Sequence, residues 1–413
     1  MKKVLFLSIV PPFPNDQGNR MVTLNVMDYF VNKGYFIEAV FQCSVDNKLV
    51  EKHFNNKVKV HEARNNHFAE TFDFKTRDKI KELLKTGQFD GYNESIKKEI
   101  FYTANHFHPF AFINDQMVEI AKKLLSHNQF DLVICNYLYS LRPVKELKDL
   151  MGRTKSLVIT IDAASKLDEQ TYYYGIDMSF KACGKEMEKE CLDYADYVAA
   201  ISKTEQEYFK QIGVTSEIIL SEYNAYDHLE NIFVTEKNFQ GKQLFFGASN
   251  NLLNQKSIED FLTRCWPSIV TRVPAAELVV AGKICSCLPG NYKNVIVKGL
   301  VSYETYLDLM ASSTIAINPV YIGTGLKIKT VEAISMGLPS VSFAAGIDGL
   351  EELNRQAFLL AEDWPGFADH CVKLLSDYCQ WNQMRLNARE IGKKRFTGAA
   401  VFKEFDRILR KIE

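Results

Sequence analysis

Apolar residues along this chain fall into short blocks, separated by longer segments where they recur every three to four positions. Residues 4–10 (VLFLSIV) form a compact apolar run, the pattern of a strand buried on both faces of a parallel sheet. The loop PPFPNDQGNR follows, and residues 21–30 then carry apolar positions at helical spacing. Asn32, Lys33 and Gly34 predict a helix stop, and 36–41 reads as the next strand, giving a β-loop-α-β opening. Further strands are predicted over 130–135, 157–161 and 197–201. A helix over 186–194 precedes the last of these, and Ser202 is placed to cap a helix after it through Glu205. Residues 43–124 are less regular and polar, with basic helical material over 75–84.

A second α/β pattern begins near Gln243. It predicts strands over 244–247, 277–281, 294–297, 314–318 and 340–343, with helices over 257–265, 303–310 and 330–336. The last forty residues read as helical. The expected architecture is α/β, two Rossmann-like domains facing each other across a deep cleft. One domain covers 1–225 and the other 243–392, joined by a linker at 226–242, with a terminal helix over 393–413 crossing back to the first.

Composition narrows the classes without naming a partner. The 413 residues are 46% hydrophobic and 24% charged, an ordinary globular balance. Lys and Arg number 50 against 51 Asp and Glu, which argues against a dedicated nucleic-acid binder with a broad basic footprint. Nine cysteines are scattered without a Cys-x-x-Cys pair, so no structural zinc site is expected. No run reaches the ~20 apolar residues of a membrane span, and the first apolar run leads into a Pro-rich turn without a cleavage site. The expectation is a cytoplasmic protein. Lys75, Arg77, Lys79, Lys81 and Lys85 around Ile80, Leu83 and Leu84 allow peripheral contact at the inner face of a membrane, although a solvated helix surface is the ordinary reading. His106 and His108, within YTANHFHPFAF, read as packing or as acceptor-pocket lining, not as metal ligands.

The most informative segment follows the strand predicted over 314–318. Gly323, Thr324 and Gly325 stand at a strand end just before a helix. Two glycines permit positive φ and close backbone approach, and the helix start offers unpaired N–H groups. Such a turn cradles a phosphate or diphosphate. Lys327 and Lys329 add positive charge, with only one of them required to point inward. Glu332 can accept hydrogen bonds from ribose hydroxyls. The ligand this describes is a nucleotide diphosphate with its sugar over the helix end. A Gly-x-Gly turn alone is as often plain structure; the combination at one strand's C-terminal end raises the odds.

The run GTGLKIKTVEAISMGLPSV, with Asn318-Pro319 before it and Gly346-Ile347-Asp348-Gly349-Leu350 after it, resembles the donor-binding region of the family 4 (group 1) retaining glycosyltransferases of the GT-B fold. In that family two glutamates eight positions apart flank the Gly-rich turn. Glu332 matches the second, and Thr324 stands where the first is usual, as in the branch with a G-x-G-x-K-x-K-x-x-E-A version. The resemblance implies a nucleotide-diphosphate-sugar donor, UDP- or GDP-linked, with no other cofactor, and the lack of an Asp-x-Asp signature at an obvious strand end argues against an essential metal. It implies diphosphate contacts at Gly247 and Lys256, pocket lining at Gly282, and the base near Gly299 and Leu300. In the first domain it implies that Gly18, Asn19 and Arg20 reach the diphosphate or acceptor. It also implies that Asp162 faces the sugar where relatives carry His, and that Lys203 touches an anion. Thr324 and Lys327 join Asp162 as candidates at the reacting centre. The activity implied is sugar transfer to a hydroxyl of a glycan or lipid-linked acceptor, in surface polysaccharide or glycoconjugate synthesis. A sugar-nucleotide epimerase of the same fold, or a catalytically silent binding partner, stays open. A dinucleotide-binding dehydrogenase is disfavoured because no G-x-G-x-x-G follows the first strand.

Overall fold

The computed structural model describes residues 2–64, 109–167, 183–288 and 292–412. The basic stretch over 75–84 and both His106 and His108 lie outside the described residues. Seven strands form the first sheet: β1 (Lys3–Ser8), β2 (Phe36–Phe41), β3 (Val58–Glu62), β4 (Leu132–Asn136), β5 (Lys155–Ile159), β6 (Tyr197–Ala200) and β7 (Glu217–Leu220). Their order is 3-2-1-4-5-6-7 and every pairing is parallel. The unbroken apolar run dictates this placement: Val4, Leu5, Phe6 and Leu7 are wholly buried, as a central strand covered on both faces must be.

The second sheet holds β8 (Gln243–Gly247), β9 (Glu277–Ala281), β10 (Val295–Val297), β11 (Ile315–Asn318), β12 (Ser340–Ser342) and β13 (Phe358–Leu360). Its order, 10-9-8-11-12-13, repeats the double winding of the first, again all parallel. In both sheets the order reverses beside the first strand, between β1 and β4 and between β8 and β11. Such switch points open a crevice at the carboxyl ends of the strands.

Residues 226–242 are not a plain linker. They contain a helical turn over Tyr226–Leu229 and a 3-10 helix over Glu236–Gly241, and Val234 N–H donates to the Met336 carbonyl at 3.0 Å. The helix Tyr378–Arg395 lies against the helix Ile328–Met336 so closely that a Cβ on Gly392 would come within 2.7 Å of Ser335 Cα. The chain then returns to the first sheet's layer. Phe402 stacks on Tyr29 at 4.4 Å, and Tyr29 Oη donates to Asp406 at 2.5 Å. Arg395 stands at the crossing, paired with Glu222 at 2.5 Å and Glu352 at 2.7 Å.

Candidate functional site

The carboxyl ends of the two sheets face one cavity of about 480 Å³. On the side of the second sheet it is built from the turn after β11. Gly323 (φ 132°) and Gly325 (φ 75°) adopt backbone that only glycine takes cheaply. Gly325 has a second reason: a Cβ there would sit 2.3 Å from the Ile161 carbonyl oxygen, across the cleft. The turn leads into the helix Ile328–Met336, which starts two residues earlier than its apolar spacing predicts. Its N-cap, Lys327, makes no side-chain cap; its carbonyl takes the N–H groups of Thr330 and Val331, and Ile328 and Lys329 at the helix start line the cavity. Gly18 at the start of the helix Gly18–Asn32 abuts this end, since a Cβ on it would meet Ile328 Cγ1 at 3.0 Å. Two helix starts therefore converge on the same space.

Both lysines line the cavity, not one of them. Lys327 Nζ donates to the carbonyls of Thr324 and Gly325 at 2.5 and 2.9 Å. Lys329 Nζ reaches Asn254 Oδ1 at 3.4 Å and lies over the Phe246 ring at 4.7 Å. Lys327 folds back onto its own turn while Lys329 reaches the Asn254 side, so both enter the cavity from different directions, which strict alternation does not anticipate. Burial depresses both ammonium groups, and in Lys329, with Lys327 adding to it, the pKa falls to about 7. Asp162 and Asp348 oppose this in Lys327.

Glu332 is buried and lines the cavity one turn further along. Tyr303 Oη donates to its Oε1 at 2.7 Å, and His228 Nε2 lies 3.2 Å from that same phenol and 3.3 Å from Tyr223 Oη. Burial pushes the Glu332 carboxyl up to about 7, against the lowering by the Tyr303 hydrogen bond, and pushes His228 down to about 4. Thr324 is 2% exposed and its Oγ1 has no hydrogen-bond partner among the described residues, although it borders the cavity. A buried hydroxyl left open at a cavity wall is a group waiting for a polar ligand atom.

The first sheet contributes Asn19 and Asp162 to the cavity. Asp162 follows β5 after Thr160 and Ile161, since the strand ends at Ile159 rather than at 161. Glu188, itself buried, fixes this loop by accepting from Ala164 N–H at 2.7 Å and Ser165 N–H at 3.1 Å. Asp348 ties the halves together, accepting from Gly325 N–H at 2.9 Å and lying 3.7 Å from Lys166.

Gly18, Gly247, Gly282 and Leu300 also border the cavity. Gly282 (φ 100°) admits the chain because a Cβ would meet the Ala248 carbonyl at 2.5 Å. Four expected residues stand elsewhere. Lys256 is half exposed and pairs with Asp260 at 3.3 Å on its own helix, pointing along the surface instead of into the cavity. Lys203 pairs with Glu352 at 3.0 Å, an exposed bridge between the halves. Arg20 folds back to the Pro14 carbonyl at 3.0 Å and Asp16 at 3.3 Å. Gly299 borders a shallow recess that shares Gly282, Lys283 and Leu300 with the main cavity. Sequence reasoning missed Tyr303 and Tyr137, both of which line the cavity. Tyr137 immediately follows β4, a position at a strand's carboxyl end that could have drawn attention to it. Among the described residues no group of three or more His, Cys, Asp or Glu is placed to hold a metal ion, and no helix is long and apolar enough to cross a membrane.

Residues 241–377 match the family described as "Glycosyl transferases group 1". A protein of Klebsiella pneumoniae, described as an uncharacterized 44.6 kDa protein in the cps region, is 21% identical over 97% of this chain and 98% of its own. Sucrose-phosphate synthase from Thermosynechococcus elongatus superposes with a TM-score of 0.69 at 13% identity, covering 100% of this chain and 99% of that one. HepE of Anabaena, solved with UDP and glucose, superposes with a TM-score of 0.68 at 13% identity over 99% and 100% of the two chains. The fold is GT-B, as the two facing parallel sheets required.

Proposed function

We propose that this protein is a retaining glycosyltransferase. It moves a sugar from a nucleotide-diphosphate-sugar, UDP- or GDP-linked, to a hydroxyl of a glycan or lipid-linked acceptor. The second sheet and its helices bind the donor and the first sheet's side receives the acceptor. The observation that carries the reading is the convergence of the 323–325 turn, an uncapped helix start, two lysines and Glu332 on one cavity. The match to group 1 glycosyl transferases over that region supports it, as does the UDP and glucose bound by the structurally similar HepE. Retention rests on the family resemblance alone. A role in surface polysaccharide synthesis is suggested by the relative from a cps region, and it would place the enzyme in the cytoplasm, at the inner face of the membrane where lipid-linked acceptors are found.

In this reading the diphosphate lies over the helix start at Ile328, where the Lys329 side chain and the N–H groups of Ile328 and Lys329 take up its charge. Stabilising negative charge as it grows on the leaving group is the main electrostatic demand of glycosyl transfer. Glu332 accepts from the ribose hydroxyls, with its carboxylate oriented by Tyr303. Thr324 Oγ1 gains its missing partner from a sugar hydroxyl. Asp162 orients the reacting sugar or acceptor hydroxyl, and Lys327 holds the turn against Asp162 and Asp348. Closure of the halves excludes water. The test is a panel of UDP- and GDP-sugars against the purified protein, read as donor binding and slow hydrolysis. Glu332→Ala and Lys327→Ala should each abolish transfer; if both retain full activity, the donor site lies elsewhere.

A further inference from the structure

Six non-glycine residues among those described have positive φ, and three of them are Asn, which tolerates it. Tyr137 is different. At φ 71° and ψ 147° it occupies a region that a side chain with a Cβ strongly disfavours. Its surroundings enforce this conformation. Its N–H donates to the Ile159 carbonyl at 2.9 Å, continuing the β4–β5 ladder by one residue, and its carbonyl accepts from Ser140 N–H at 3.1 Å. The preceding Asn136 is pinned by its Nδ2, which donates to Ser8 Oγ at 3.0 Å and Thr23 Oγ1 at 2.8 Å. A glycine would satisfy every one of these backbone bonds without strain, so they do not explain why a tyrosine stands there.

The side chain does. Tyr137 lines the cavity on the same wall as Asn19 and Asp162. The Asn19 side chain, whose Oδ1 accepts from Arg20 N–H at 2.9 Å, hydrogen-bonds the phenol. Burial, with the nearby Asp162 carboxylate, pushes the phenol's pKa up and keeps it protonated. The ring lies beside Tyr139 at 6.1 Å, inclined by 29°, and Tyr139 in turn packs on Phe112 at 4.8 Å. Lys329 and Glu332, the groups suited to diphosphate and ribose, belong to the opposite wall.

Building on the donor reading above, we infer that Tyr137 is a sugar-specificity residue, contacting the glycosyl group of the donor and not its nucleotide, and that its strained backbone serves to aim the phenol there. The residue acts by direct contact, donating its hydroxyl proton to a sugar oxygen and presenting its ring edge to the sugar's C–H surface.

The test compares nucleotide with nucleotide-sugar, using UDP against UDP-glucose and GDP against GDP-mannose, on wild type, Tyr137→Phe and Tyr137→Gly. Calorimetry reads affinity, product release reads hydrolysis, and a thermal melt reads stability. Glycine relieves the positive φ but also removes a ring packed against the core, so Tyr137→Gly is expected to melt lower than wild type, whereas Tyr137→Phe, which keeps the ring, is expected to melt close to it. The affinity of Tyr137→Gly for the bare nucleotide stays within about twofold, while sugar-nucleotide affinity or turnover falls about tenfold, the loss expected for one hydrogen bond with its packing. Tyr137→Phe separates the hydroxyl from the ring and is expected to lose part of that effect. Bare-nucleotide affinity that falls as far as sugar-nucleotide affinity in Tyr137→Phe or Tyr137→Gly would show a purely structural role and overturn the inference. So would sugar-nucleotide binding and turnover unchanged in both variants. If wild type binds neither nucleotide nor either sugar-nucleotide, the donor reading itself falls, and the inference with it.

Discussion

Replacing Tyr303 by Phe removes one O–H group and almost no volume, and of the polar groups at that oxygen, Glu332 and His228, only Glu332 faces the cavity. Tyr303 Oη donates to Glu332 Oε1 at 2.7 Å, and this bond works against the burial that raises the Glu332 carboxyl to about 7. A hydrogen bond to a charged group contributes about 1.5–3 kcal/mol. At about 1.4 kcal/mol per pKa unit, its loss should lift the carboxyl by roughly one to two further units. Only the ionised form offers both oxygens to ribose hydroxyls. Affinity for ribose should therefore fall in wild type as pH drops through about 7, and in Tyr303→Phe the same fall should come roughly one to two pH units higher.

Uridine and guanosine are the probes of choice, because they carry ribose without the diphosphate and so keep Lys329 out of the measurement. Affinity measured by competition across this pH range gives the midpoint. Glu332→Gln should be flat over the same range. The sign for stability is opposite to that of a salt-bridged carboxylate. The folded pKa lies above the ordinary value of 4.5, so the folded state holds the extra proton between 4.5 and about 7. Stability therefore falls as pH rises through that window, by about 3 kcal/mol for this group. An unmoved midpoint in Tyr303→Phe, or a persistent pH dependence in Glu332→Gln, would refute the reasoning.

Lys329→Met should weaken UDP or GDP binding at least about tenfold by leaving diphosphate charge uncompensated, whereas Lys256→Ala, at an exposed surface pair, should leave it within about twofold. Because the Lys329 ammonium is depressed to about 7 in the free protein, diphosphate binding at about pH 8 should draw in a proton. Calorimetric enthalpies in buffers of different ionisation heat would then diverge for wild type and coincide for Lys329→Met. Gly325→Ala combines a φ of 75° with a Cβ 2.3 Å from the Ile161 carbonyl. It should lower stability by about 2 kcal/mol or more, read as a lower Tm. Arg395→Ala strands Glu222, whose side chain is 7% exposed, without its guanidinium, and a loss of about 3–5 kcal/mol is expected in denaturant unfolding. A loss below about 1 kcal/mol would show the crossing to be held by apolar packing alone.

What the sequence determined on its own follows from local rules. The central strands β1, β4, β8, β9 and β11 were legible because strands buried on both faces are mostly apolar runs, and β2 was legible despite the buried Glu38 within it. The 323–325 turn was legible because only glycine takes its φ values cheaply, and Glu332 because the segment around it resembles a known family. Edge strands β3, β7 and β13 were not recognised. They are short, and β3 and β7 are partly exposed, so the pattern that marks a strand is weak there. The destinations of charged side chains were also hidden, because sequence reports a charge and not its partner. Lys256, Lys203 and Arg20 each found a nearby carboxylate at the surface or between the halves, while Lys329 turned inward. Tyr303 and Tyr137 belong to the site only because the second winding of one sheet and the end of β4 in the other bring them to the same cavity. Backbone conformation and hydrogen-bond closure across the two sheets decide that, and no spacing along the chain encodes it.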